Sequence, residues 1–362
     1  MPIQSFDVVV VGAGIAGLTA AAMARQQGFD TALVATGPGR FIYGAGWFSA
    51  DGNKDMDPEA LEKAIGLFRQ MTDEADCAFA GNLREPQLLP TLMGDFLPVT
   101  LAPFTLWNAA PSAGARIAMV GIEGLTGFDE NFMAERMQAA ASGLGISCVY
   151  KARRINISRD LGLPLTPTRL ANCFDNDAAF RAELAASLSA EAGDCDRILL
   201  PSVLGFQSSG TQLAQFIAAV GTQVGELATL PPSVAAMRVQ NRLEHHLRNQ
   251  GVEFYRGFPV RRLLIENRRC TGLEIDGPGH GTTLHAQRLI LAAGSANGAL
   301  LGTAEFQTDE ALHPVASNGA LVANNVTLAT TTAAAQHCSL APLLAGFLAG
   351  SRMERTEESY AA

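Results

Sequence analysis

The chain has 362 residues, a formal net charge of −9, and 48% hydrophobic against 17% charged residues. At ~100–200 residues per domain this length supports a large core and two or three domains. An acidic chain with no basic stripe excludes nucleic acid as the expected partner, and six scattered cysteines without a C-x-x-C pair argue against a metal cluster or disulfide framework.

The opening "MPIQSFD" carries no cationic region and so does not read as a signal peptide. Asp7–Val11 is an almost wholly apolar run, suited to a parallel strand buried on both faces. Gly12, Gly14 and Gly17 follow, then an Ala-rich helical stretch to Gln27 that Gly28 stops, then a second strand at Thr31–Val34. This is a β-α-β unit with G-x-G-x-x-G at its first turn. The first glycine allows the tight turn, the second lets a pyrophosphate approach the backbone, and the third lets helix and strand pack closely. The helix N-terminus then offers free N–H groups and a positive dipole end. Where such units place an acidic ribose ligand, this chain has Ala35 and Thr36. The following "RFIYGAGWFSADG" holds Gly44, Ala45 and Gly46, small enough for close approach of a ligand; Trp47 and Phe48 there suit core packing equally well.

From Asp51 to about Pro232 the texture changes. "DPEALEKAIGLFRQMTDEA" predicts an amphipathic helix capped by Asp57 with Pro58 in its first turn. "ARIAMVGIEGL" predicts a strand and turn, "NFMAERMQAAASGLG" a helix, "SCVYKARRINIS" a strand, "DNDAAFRAELAASLSAEAG" a helix, and "DRILLPSVLGF" a strand. "LGLPLTPTRLANCFDN" reads as an ordered loop. From Pro231 the pattern is regular again: a helix through "PPSVAAMRVQNRLEHHLRNQG", strands "VEFYRG", "PVRRLLIENR" and "RCTGLEIDG", and a strand "RLILAAG" running into Gly294. "GALVANNVTLA" predicts one more strand, and a buried helix closes the chain around Leu340–Leu348, since its apolar run is too short for the ~20 residues of a membrane span.

An apolar strand ending in Ala-Ala-Gly late in a chain that began with G-x-G-x-x-G is common in flavoproteins, and the pair favours flavin over a nicotinamide nucleotide. Four segments carry a family resemblance. "LPPSVAAMRVQNRL", "RIAMVGIEGL", "ILLPSVLGF" and "FQTDEALHPV" resemble segments of the B-subunit of the anaerobic glycerol-3-phosphate dehydrogenase, and the matches keep the same order along the chain. The resemblance implies a Rossmann-like FAD/NAD(P)-binding α/β fold with an inserted α+β domain: residues 1–50 and 233–362 as a discontinuous flavin-binding domain, and 51–232 as an inserted substrate or partner domain. It implies a flavin, FAD or FMN, in a quinone-linked complex that takes sn-glycerol 3-phosphate, or another alcohol or polyol phosphate, to the ketone. It implies a second flavoprotein and an iron–sulfur protein as partner subunits, and a cytoplasmic protein that meets the inner membrane only through them.

The expected cofactor contacts are Gly12, Ala13, Gly14, Ile15, Ala16, Gly17, Thr36, Gly44, Ala45, Gly46, Val260, Ala293, Gly294, Thr330 and Thr331. Two departures from the family stand out. Ala236 replaces a glycine, a small packing change. Thr330 stands in the first position of a family Gly-rich run, and no glycine follows until Gly346, so side chains occupy space a flavin could use. This keeps a second reading open, a flavin-free subunit that scaffolds a catalytic partner. Hydride transfer from an alcohol wants a base, and no acid–base pair stands out; His313, His337 and Arg40 are the candidates.

Overall fold

A computed structural model describes residues 4–49, 56–159, 161–162, 164–277, 281–302, 306–330 and 339–353. In chain order its elements are β1 (Gln4–Ala13), α1 (Ile15–Gln26), β2 (Thr31–Pro38), β3 (Phe48–Ser49), α2 (Pro58–Glu74), β4 (Phe79–Gly81), β5 (Gln87–Pro90), β6 (Phe96–Pro103), α3 (Phe104–Trp107) and β7 (Arg116–Ile122). They continue with α4 (Glu130–Gly143), β8 (Val149–Ile155), α5 (Pro167–Asn176), α6 (Ala178–Ala192), β9 (Arg197–Pro201), α7 (Gly210–Val220), β10 (Gln223–Leu227) and α8 (Val234–Asn249). The last part holds β11 (Glu253–Arg256), β12 (Val260–Glu266), β13 (Arg269–Asp276), β14 (Gly281–Leu291), α9 (Asn297–Leu301), β15 (Phe306–Thr308), β16 (Pro314–Ala316), β17 (Val326–Leu328) and α10 (Ala341–Ser351). The described residues divide into two units. One draws on Met1–Gly39, Gly52–Met71 and Leu243–Ala362, the other on Arg40–Asp51 and Thr72–Arg242.

The first unit is built on a sheet in the order β11-β2-β1-β14-β13-β12, with β17 also on β14. β1 is parallel to β2 and β14, β11 to β2, and β17 to β14; β12, β13 and β14 form an antiparallel meander. Val8, Val9 and Val10 are fully buried, as a central strand covered on both faces requires. Helix α1 is buried from Ile15 to Ala22, and its many alanines keep it thin enough to be covered on every side.

The second unit holds a parallel sheet in the order β10-β9-β7-β8. Met133, Met137 and Ala141 of α4 pack on Ile117, Met119 and Leu199. Residues of α5, α6 and α7 pack with Ala118, Val120, Ile198 and Leu200, the alternate positions of the same strands. A small antiparallel sheet of β3, β4, β5 and β6 accompanies it.

Two expectations are corrected here, and one stretch left unread gains elements. The segment read as an ordered loop contains α5: the Thr166 side chain caps it by accepting the Arg169 N–H, Pro167 sits in its first turn, and Leu170, Ala171 and Phe174 are buried. The stretch between Phe206 and Pro231, where the sequence pattern marks no element, holds α7 and β10. Of the strand expected through "GALVANNVTLA", only Val326–Leu328 is strand.

A glycine cradle at the first turn of the N-terminal helix

The cradle is assembled at the C-terminal end of β1. Gly12 has φ +114°, and a Cβ there would stand 2.4 Å from the Ala292 carbonyl oxygen. A Cβ on Gly17 would stand 1.8 Å from the Gly12 carbonyl oxygen. Protein packing therefore accounts for both glycines, the one by backbone conformation and close approach, the other by the seating of α1 on β1. Gly14 differs. It is the N-cap of α1 with φ −75°, and a Cβ there would meet only the Gly39 Cα, at 3.7 Å, an ordinary contact. No side chain caps α1 and no acidic residue occupies its first turn. The orphan N–H groups and the positive end of the helix dipole thus face a bare glycine surface, which suits an anion.

The turn after β14 forms the neighbouring wall. The Ala292 N–H donates to the Val11 carbonyl at 2.8 Å. Asn297, fully buried, accepts the Ala293 N–H at 3.0 Å and donates from Nδ2 to the Leu291 carbonyl at 3.4 Å. Gly294 follows with φ +60° and open space at its Cβ position. Thr330 lies two residues past β17, half-buried, beyond Ala329, whose N–H donates to the Leu291 carbonyl. Thr36 is exposed near the end of β2. Thus Gly12, Ala13, Gly14, Ile15, Ala16 and Gly17 are brought together with the Ala292–Gly294 turn. Val260 begins β12, and the sheet order sets β14 and β13 between it and β1. Thr331 and His337 lie outside the described residues.

Gly44, Ala45 and Gly46 belong to the second unit. Gly46 has φ +93°, and a Cβ there would meet the backbone N and Cα of Ala236 at 3.1 and 3.2 Å. The Ser233 N–H donates to the Ile42 carbonyl at 2.8 Å. The loop is therefore held on the first turn of α8, and packing against that helix accounts for Gly46. Phe48 is a core residue, buried between Phe41 and Phe79, and Trp47, half-buried, packs against Leu89, Val99 and Leu106. His313 is engaged locally. Its N–H donates to Asp309 Oδ1 at 2.8 Å, and its Nδ1 lies 3.2 Å from Asp309 Oδ2.

In the second unit the strand order reverses at β7 and β9, where open parallel sheets place ligands. Ile122 at the end of β7, Leu125 beyond it, and Val203 and Leu204 after β9 join one buried cluster there. Gly121 gives its Cβ space to the buried Glu130 carboxylate, which accepts from Arg154 Nε at 2.6 Å. Nearby, Arg238 binds Glu226 through two hydrogen bonds, Nη1 to Oε2 at 2.6 Å and Nη2 to Oε1 at 2.9 Å, and donates from Nε to the Gly205 carbonyl. Burial pushes the Glu226 carboxyl up, but the Arg238 charge and its hydrogen bonds outweigh burial and hold it below the usual carboxylate range. Among the described residues no cluster of His, Cys, Asp and Glu is arranged to hold a metal ion, and no helix is long and apolar enough to cross a membrane.

Three elements of the site were missed by sequence reasoning. Gly39 was signalled only by "GPG" after the second strand, Asn297 by nothing local, and Gly346 with Gly350 by G-x-x-x-G spacing in the last helix.

The chain is 27% identical over 336 residues to the B-subunit of the anaerobic glycerol-3-phosphate dehydrogenase of Yersinia pestis bv. Antiqua (strain Antiqua), with 81% of this chain and 75% of the relative covered. It is 28% identical over 338 residues to the protein of that name from Yersinia enterocolitica, with the same coverage. Among solved structures, L-proline dehydrogenase from P. horikoshii aligns over 91% of this chain and 65% of its own, at 11% identity and a TM-score of 0.37. The model of the FAD binding domain family matches residues 7–342, and the chain belongs to that family of flavin-dependent oxidoreductases.

Proposed function

We propose that this chain is the flavoprotein component of a multi-subunit, quinone-linked dehydrogenase that oxidises a polyol phosphate of the sn-glycerol 3-phosphate kind. The names of its relatives support the substrate class and the existence of other subunits. The observation that carries the flavin site is Gly14: of the three motif glycines, it alone has a Cβ position that the protein leaves open to a ligand.

The residues present fit the cofactor. Gly12 to Gly17 would hold a phosphate or pyrophosphate on bare backbone at an uncapped helix N-terminus. The Ala293–Gly294 turn, Thr36 and Thr330 are the further contacts in this reading. When bound, the flavin supplies the two-electron acceptor for oxidation of the alcohol carbon. The chain's own residues bind and orient. Asn297 holds the turn after β14 rigid, so the wall beside Gly12 does not move as the anion arrives. In this reading the first unit, drawn from Met1–Gly39, Gly52–Met71 and Leu243–Ala362, binds the flavin, and the second, drawn from Arg40–Asp51 and Thr72–Arg242, meets substrate or partner. The missing acidic residue at Ala35 and Thr36 removes a charge-assisted contact to adenosine of ~1.5–3 kcal/mol, which weakens the hold on FAD relative to FMN.

The test is purification from the native source, followed by absorbance with FAD or FMN added. Anaerobic addition of sn-glycerol 3-phosphate and a quinone then reads turnover. A second flavoprotein and an iron–sulfur protein should accompany the chain, and flavin bleaching should need them. If no flavin absorbance appears with partners and free flavin both present, the proposal falls and the scaffold reading replaces it. A homomer that reduces quinone unaided removes the partner half of the reading.

A further inference from the structure

Helix α10 is buried on nearly all sides: Ala341, Leu343, Leu344, Ala345, Gly346, Ala349 and Gly350 are all covered. Gly346 and Gly350 lie one turn apart on the same face, and both meet α1. A Cβ on Gly346 would stand 2.2 Å from the Ala16 carbonyl oxygen and 2.8 Å from the Ala16 Cα. A Cβ on Gly350 would stand 2.5 Å from the Met23 Cβ and 3.3 Å from the Ala20 carbonyl oxygen. The two contacts thus fall on different parts of α1: Ala16 is its second residue, Met23 its ninth.

On its other side the same first turn meets a second bare Cα, because Gly17 abuts the Gly12 carbonyl oxygen. The turn that carries the orphan donors is therefore gripped between Gly12 and Gly346. Neither contact leaves room for a methyl group, and on both sides the opposing atoms are backbone, which cannot rotate away.

We infer that Gly346 is a positioning residue for the flavin: it seats α10 against Ala16 and thereby fixes the N–H donors of the first turn of α1. The inference rests on the reading that the flavin phosphate lies on Gly12–Gly17. Gly346 acts through Ala16, and its effect reaches the cofactor because an anion site needs its donors held to ~0.5 Å. Gly350 packs the same two helices together but acts two turns away from the donors.

The experiment titrates flavin into apoprotein by fluorescence for wild type, Gly346→Ala, Gly350→Ala and Gly14→Val, with thermal unfolding of each apoprotein alongside. Both alanine variants should unfold at lower temperature. Only Gly346→Ala should raise the flavin Kd, by about tenfold, the size expected from displaced donors. Gly350→Ala should stay within about twofold of wild type, and Gly14→Val should not bind. Equal Kd values for the two alanine variants overturn the role of Gly346 while leaving the phosphate reading intact, provided Gly14→Val is dead. An unchanged Kd in Gly14→Val overturns that reading, and the inference with it. If Gly346→Ala does not fold, hydrogen exchange in the wild-type apoprotein decides. The Leu18 amide, which donates to the Gly14 carbonyl at 2.9 Å, should exchange as slowly as the amides of β1. Exchange at the rate of a frayed helix end would mean that the turn is not gripped, and the inference fails.

Discussion

Gly39 stands with its Cα against Gly14: a Cβ added to Gly39 would come within 2.2 Å of the Gly14 Cα, whereas a Cβ added to Gly14 would clear the Gly39 Cα by 3.7 Å. The asymmetry separates two reasons for glycine in one contact. Gly39 is small because β2 returns to β1 at Pro38, opposite Ala13, and brings the chain down on the turn. Gly14 is small although the protein would tolerate more.

The two substitutions should therefore part company. Gly39→Ala forces two backbones apart and should cost about 1–3 kcal/mol of apoprotein stability, the usual size for overpacking. Gly14→Ala should leave apoprotein stability within about 1 kcal/mol of wild type, as a substitution at an unstrained position does, yet weaken flavin binding. Denaturant midpoints of the apoproteins and flavin titration of each variant check this. Stability loss at Gly14 with normal flavin affinity would show that its bare face serves the fold and not a ligand.

The wall beside Gly12 depends on one amide. Asn297 satisfies the Ala293 N–H and the Leu291 carbonyl inside the protein. Asn297→Ala leaves the Ala293 N–H without that partner, while the Leu291 carbonyl keeps the Ala329 N–H at 2.9 Å, and should cost about 1–3 kcal/mol. Because Ala292 lies between Leu291 and Ala293, the variant should also lose flavin affinity. Urea unfolding and flavin titration measure both; stability lost with affinity kept would mean the turn does not border the cofactor.

The Glu226–Arg238 pair predicts acid sensitivity. The folded pKa of Glu226 lies below its unfolded value, so the stabilisation is fully present above the ordinary carboxylate pKa of about 4.3 and is lost as pH falls through the lower, folded value. Glu226→Gln leaves Arg238 buried and uncompensated, which should cost about 3–5 kcal/mol at neutral pH. The gap between variant and wild type should then close in acid, as protonation removes the same charge from the wild type. Denaturant midpoints from neutral pH down to acid test this, and a gap that stays constant across that range would assign the stability to packing instead.

The sequence exposed what depends on local pattern. A short valine run followed at once by closely spaced glycines reads as a central strand with a tight turn, and β1, α1 and β2 lie where that pattern puts them. Two elements were hidden by their polar content. Thr166 and Pro167 are a helix cap and first turn, but the surrounding prolines and Asp and Asn residues read as loop. Glu226 breaks the apolar run of β10, and only its distant partner Arg238 makes a buried carboxylate tolerable there. The approaches of Gly39 to Gly14 and of Gly346 to Ala16 join residues far apart in sequence, and no local period encodes them.

The tail supplies the last prediction. Thr330 stands where the family resemblance expects glycine, and it follows a strand whose end is tied to β14, the Ala329 N–H donating to the Leu291 carbonyl. Leu291 directly precedes Ala292, whose carbonyl abuts Gly12, so Thr330 leaves the sheet at the edge that carries the glycine cradle. If the flavin reaches this edge, the β-branched carbon of Thr330 forbids the closest contact while its hydroxyl offers a hydrogen bond. Thr330→Gly should therefore tighten flavin binding by about three- to tenfold, a gain on the order of 1 kcal/mol. Glycine also loosens the apoprotein by roughly 0.5–1 kcal/mol, so apoprotein stability should fall as affinity rises. Flavin dissociation constants for wild type and Thr330→Gly, with apoprotein unfolding beside them, separate the two effects. An affinity that is unchanged or weaker in the variant would mean that Thr330 does not line the cofactor, and that the glycine-for-threonine exchange bears on the fold of the tail alone.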